Sequence, residues 1–127
     1  MEILRFQWDL ESKYHKIEAK NGHPRPARLF DIDDLEWQRY LKESVGRITD
    51  ELGEANNSLK NKPWKATHML TDEQHYWEEI IDGFHFYLRH LLLPFQDTHT
   101  PEEIASWIWQ MYTQKGQVNR FRQRSGY

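Results

Sequence analysis

"LTDEQHYWEEIIDGFHFYLRHLLLPF", residues 70–95, decides the fold. Trp77, Ile80, Ile81, Phe84, Leu88, Leu91 and Leu92 return at steps of three and four, which draws one broad apolar face on a helix. Thr71 or Asp72 supplies a side-chain acceptor for the first free amides, and Pro94 marks the end because its ring cannot continue the helix. Glu79 and Asp82 point nearly opposite that face, yet Phe86 and Leu93 share their side. A helix apolar on both faces is predicted to be sandwiched, with its carboxylates turned toward a neighbour.

Upstream, "FDIDD" offers Asp31, Asp33 or Asp34 as N-cap of another long helix. Its stripe runs Leu41, Val45, Ile48, Leu52, Ala55, Leu59, and it is expected to stop near Asn61 to Pro63. Gly46 and Gly53 interrupt it, each at a cost of roughly 1 kcal/mol against Ala, and are read as allowing a close helix contact. Downstream, "THTPEEIASWIWQMY" opens a further helix, with Thr100 as N-cap, Pro101 at the first helical position and Glu103 completing a capping box. Residues 1–20 are expected to form a short helix, and "NGHPRPAR" (21–28) a connector broken by its prolines and glycine. Residues 116–127 read as a basic tail. The fold class is all-α, in a single domain over 1–127: an N-terminal helix and connector (1–30), a helical body (31–115) and the tail.

Composition sets limits on what this bundle can be. Hydrophobic residues make up 38% of the 127, with a mean hydropathy of −0.94, so one copy can bury only a modest core. Burial against a second copy is the natural remedy, and an oligomer is expected. Six tryptophans and 14% aromatics argue against disorder. A net charge of −3 makes a general nucleic-acid coat unsuitable, although Lys115, Arg120, Arg122 and Arg124 form a local basic run. Without cysteine there is neither a disulfide nor a thiolate metal site. The start does not read as a signal peptide, and no apolar run reaches membrane-spanning length, so a cytoplasmic protein is expected.

The chemistry centres on two acid pairs. Glu51 and Glu54 lie three apart on one flank of the first long helix, and Glu79 and Asp82 repeat that spacing on the second. Four converging carboxylates repel one another unless cations neutralise them, and hard oxygen donors suit Mg²⁺ or Mn²⁺. On spacing alone, solvated helix surface is the commoner reading of such pairs. Gln38 is either a satisfied core amide or a reader of a ligand's hydrogen-bonding edge. A histidine placed like His85, one turn past Asp82, is more often a surface or core residue than a ligand, and Trp64 fits a core as well as a binding site. The histidines show no zinc spacing.

Taken together, "ELGE" (51–54) and "EIID" (79–82) resemble the Glu-x-x-Glu and Glu-x-x-Asp motifs of the all-α nucleoside-triphosphate pyrophosphatases. The chain is most similar to the dimeric dUTPases and the phage dCTP/dUTP pyrophosphatases, with MazG-like proteins as broader relatives. "QRYL" (38–41) resembles the family's base-reading glutamine segment, "KPWK" (62–65) its lysine- and tryptophan-containing segment, and "DGFH" (82–85) its histidine three past the last acid. "KGQVNRFRQRSGY" (115–127) resembles the family's Lys…Asn-x-x-Arg-Gln…Gly-Tyr terminus. The chain departs from the pattern at Arg124, where an acid is usual, and at Leu41 and Lys42, where an asparagine-like residue is usual.

The resemblance implies a MazG-like helical bundle completed by oligomerisation, as a homodimer, and a Mg²⁺-dependent hydrolase with Mn²⁺ as substitute. Glu51, Glu54, Glu79 and Asp82 would hold the metal, with Glu51 or Glu54 activating water and Glu51 preferred. Gln38, Lys62, Trp64, Lys65, His85, Lys115, Asn119, Arg122 and Tyr127 would bind a deoxynucleoside triphosphate. The tail would fold down as a lid. The reaction expected is dUTP hydrolysis to dUMP and pyrophosphate. dCTP or a purine dNTP is the alternative substrate, and a non-enzymatic helical adaptor with a basic tail is the alternative from another class.

Overall fold

The computed structural model describes residues 2–126. It is all-α, with four helices: α1 (Glu2–Lys20), α2 (Leu35–Asn57), α3 (Glu73–Leu92) and α4 (Pro101–Arg124). Each long helix starts where the sequence supplies a cap. Asp34 accepts from the Trp37 amide at 3.0 Å, and Asp72 from the His75 amide at 3.1 Å. Thr100 and Glu103 form the reciprocal capping box. α2 stops at Asn57, earlier than expected, because the Ser58 hydroxyl and amide turn back onto the carbonyls of its last turn.

α2 and α3 pack along their lengths as an antiparallel hairpin. The register is visible in its contacts: Ser44 Oγ meets His90 Nδ1 at 3.0 Å, Leu52 lies against Gly83, and Glu54 touches Glu79. α1 lies across α3, and the first turns of α4 lie against α1. The small core joins Leu4 of α1, Leu88 and Leu92 of α3, and Ile104 of α4, with Trp8, Phe95 and Ile108 packed around it. A chain of edge-on rings, Trp37–Phe30–Phe95–Trp107, anchors the 21–34 connector to the end of the bundle, with centroids 5.4, 5.8 and 5.2 Å apart.

Several expectations change. α1 is a full helix of 19 residues rather than a short one, and it forms one wall of the body. Residues 116–124 are no separate tail: α4 runs unbroken through Gly116 to Arg124, since the lysine, glutamine and arginine residues there propagate a helix well. Gly46 and Gly53 have nothing near them, and the close helix approach falls at Gly83 instead. The apolar face of α3 also divides. Leu88 and Leu92 are buried, while Trp77, Ile81 and Phe84 remain exposed.

Candidate metal centre

The acid pairs meet. One carboxylate oxygen from each of Glu51, Glu79 and Asp82 lies within 4.8 Å of the others. Glu54, one turn beyond Glu51 on α2, contacts the Glu79 carboxylate. Gly83 eases this approach, because a Cβ there would stand 3.2 Å from Leu52 Cδ2, and a side chain larger than a methyl group would press on α2.

Glu79 is the inner member, only 9% exposed, and its Oε2 is buried with no hydrogen-bond partner. Contact with the Glu51 carboxylate raises its pKa, and contact with Glu79 raises that of Glu54. Carboxylates this close cannot all ionise unless a cation or a shared proton sits among them. His75, with Nε2 at 3.6 Å from Glu79 Oε1, is the nearest basic group and is itself exposed. An orphaned buried oxygen in an all-oxygen donor set fits a hard divalent cation such as Mg²⁺ or Mn²⁺.

Beside this cluster a groove of about 500 Å³ opens between α1 and α3. Asp82, His85, Phe86 and Arg89 line it from α3, and Gln7, Leu10, Glu11, Tyr14 and Glu18 from α1. Its floor is a buried polar network. Gln7 Nε2 donates to Glu11 Oε1 at 2.8 Å, and Arg89 Nε lies 2.9 Å from Glu11 Oε2. Arg89 also pairs with Glu18, which Arg47 approaches at 3.5 Å. His85 Nδ1 lies 3.2 Å from Gln7 Oε1, an acceptor for an Nδ1–H. Burial pushes the Glu11 carboxyl up, against the opposing pull of Arg89. On the far side, His15 Nε2 meets Gln96 Oε1 at 2.8 Å.

The other expected residues fall in different places. Gln38 is thirteen residues before Glu51, about 20 Å along the α2 axis, and its amide donates to the Ile32 carbonyl at 2.9 Å. It is not brought to the acids. Lys62, Trp64 and Lys65 lie in the loop that closes the hairpin at the acid-bearing end. Trp64 is 74% exposed, so it is not a core ring, and Lys62 Nζ stands 5.2 Å from its centroid. Asn61 braces the loop through two hydrogen bonds with the Met69 backbone. Lys115, Asn119 and Arg122 are exposed on the distal part of α4, away from the site in this chain. Tyr127 lies outside the described residues.

The contribution of α1 was missed. Leu4, Gln7, Glu11, His15 and Glu18 follow core spacing along a helix, yet all but Leu4 are polar. Polar residues at core-spaced positions were the available signal. Compared with known proteins, the chain matches no family model, no curated protein and no solved structure.

Proposed function

We propose that this chain is a Mg²⁺-dependent nucleoside-triphosphate pyrophosphohydrolase, with dUTP as first substrate candidate and dCTP or a purine dNTP as alternatives. The observation that carries the reading is the meeting of Glu51, Glu79 and Asp82 from two helices around a buried, unpartnered Glu79 oxygen. The adjoining groove has room for a nucleoside and offers the Tyr14 and Phe86 rings as walls. Among the described residues, no helix is long and apolar enough to cross a membrane.

Glu51, Glu79 and Asp82 would hold the metal, which when bound supplies charge neutralisation for phosphate oxygens and a more acidic water. Glu54 stands outside the three-oxygen cluster and its pKa is raised by Glu79, which supports it over Glu51 as the group that takes the water proton. The water oxygen attacks the β-phosphorus in line, the bond to the α-phosphate oxygen breaks, and nucleoside monophosphate and pyrophosphate leave. His85 and Gln7 border the groove as polar groups for the base or sugar. Lys62 and Lys65, on the loop at the acid-bearing end of the hairpin, would supply cations for the phosphates. The reading includes a homodimer, because the chain buries few of its large apolar residues alone.

A panel of ribo- and deoxynucleoside triphosphates with Mg²⁺, assayed for pyrophosphate, tests this. Release from one or a few deoxynucleotides is expected, and a flat panel overturns it. The exposed basic run on α4 favours one other reading, a helical adaptor for nucleic acid. That reading requires steeply salt-dependent polynucleotide binding with no phosphate chemistry.

A further inference from the structure

The chain exposes 10140 Å², whereas a compact monomer of 15.5 kDa exposes about 7,200 Å². Two copies that each covered the excess of about 2,900 Å² would bury about 5,800 Å² in total, at the upper end of the range for obligate homodimers. Two features contribute to it. One is the distal part of α4, where every described residue from Trp109 onward except Thr113 is exposed. At 1.5 Å per residue this arm extends about 24 Å to Arg124. The other is an apolar depression of about 480 Å³ between α1 and α3, lined chiefly by Ile3, Phe6, Ile81, Phe84 and Leu88.

The two are complementary. At about 100° per residue, Trp107, Met111, Val118 and Phe121 fall within an arc of about 80° on α4, and Lys115 and Arg122 border it. On α3, Trp77, Ile81, Phe84 and Leu88 repeat at steps of four, three and four, the spacing of a helix-packing seam. The arm carries Lys115, Arg120, Arg122 and Arg124, with no acid after Glu103. The first half of α3 carries Glu73, Glu78, Glu79 and Asp82, with no lysine or arginine before Arg89. In its own chain the arm cannot turn back onto the depression without breaking the helix, since Ile104 and Ile108 hold its first turns on the core.

We infer that two copies exchange arms: the distal α4 of each lies in the α1/α3 depression of the other, with its cations toward the acidic half of that copy's α3. This rests on the homodimer included in the reading above and fixes which surfaces make it. Exchange is reciprocal, so the interface closes on itself at two chains.

The absence of cysteine makes the test clean. Phe84 and Val118 are 45% and 43% exposed, so Phe84→Cys and Val118→Cys leave the core intact. Each variant is treated alone, and the two mixed, with a short bis-maleimide, and mass is read by light scattering and denaturing gel. A dimer with an adduct only in the mixture is expected. Val118→Asp with Phe121→Asp should weaken dimerisation about 100-fold. A monomer throughout sinks both the second copy and the exchange. A dimer in which Phe84→Cys links to itself, with no mixed adduct, keeps the dimer and overturns the exchange. Pyrophosphate release from the same samples reads the hydrolase assignment separately.

Discussion

Leu52 of α2 sits where a side chain on Gly83 of α3 would stand: a Cβ at that glycine would lie 3.2 Å from Leu52 Cδ2 and 3.8 Å from Glu51 Cβ. The acids ride on this contact, since Glu79 and Asp82 lie in the turn before Gly83 on α3, and Glu51 and Glu54 flank Leu52 on α2. Closest approach of the backbones and convergence of the carboxylates are one arrangement.

Gly83→Val should therefore separate the acids. Overpacking costs about 1–3 kcal/mol, and Mn²⁺ affinity should fall at least about tenfold as the ligand set opens. Gly83→Ala should be near neutral in stability, because the flexible end of Leu52 can yield and Ala gains up to about 1 kcal/mol of helix propensity. Urea denaturation and Mn²⁺ titration check both. Unchanged metal affinity in the valine variant would disconnect the glycine from the site.

Removing charge from the cluster should stabilise the metal-free protein and impair function. The folded-state pKa values of Glu54 and Glu79 lie above 4.5, so the folded protein binds protons more tightly than the unfolded chain. That contribution is present at low pH and lost as pH rises through the raised values. The melting temperature of the metal-free protein should fall over that rise, and Mg²⁺ should restore it. Glu79→Gln should flatten the pH dependence and abolish the response to Mg²⁺. A Mg²⁺ response equal to that of the wild type would reject Glu79 as a ligand.

Glu54→Gln should separate chemistry from binding. A lost general base costs about 10²–10⁴ in kcat, while Mn²⁺ affinity should stay within a few fold. If kcat is unchanged and Glu51→Gln shows the loss instead with Mn²⁺ affinity retained, the proton acceptor is Glu51.

Arg89→Ala should be severe for the fold. Arg89 is buried between Glu11, which is fully buried, and Glu18. Truncation leaves Glu11 uncompensated, at about 3–5 kcal/mol. Arg89→Met combined with Glu11→Leu should recover much of that, because the apolar pair needs no charge compensation. A loss below about 1 kcal/mol in Arg89→Ala would show the network to be solvated.

Trp64→Ala and Lys62→Ala should leave stability within about 0.5 kcal/mol, because both side chains are exposed on the loop. With a nucleotide substrate each should raise KM, about tenfold for the loss of a charged contact to phosphate. Steady-state kinetics with unchanged KM would remove the loop from the site.

How far the site can be read from the sequence depends on the kind of residue. Asp34, Asp72 and Thr100 cap the helices the sequence assigns them, because a cap and its amide are at most three residues apart. The acid spacing was equally plain, as Glu51 with Glu54 and Glu79 with Asp82 each share a face of one helix. That the two faces meet was a separate fact, decided by Gly83 in a position that no local rule marks. Gln38 shows the opposite failure. Its type suited a ligand reader, but α2 carries it about 20 Å from the acids, where it closes a local turn.

The sequence by itself determined three long helices, their starts to within a few residues, and the two acid pairs, since helix periodicity and capping act over a few neighbouring residues. Tertiary structure alone decided that Glu51 comes within 4.8 Å of Glu79 and Asp82, that α1 walls a polar groove, and that the basic end of α4 stands clear of its own chain. Those outcomes depend on the crossing and close approach of helices distant in sequence, which packing of side chains against one another fixes and local propensity does not.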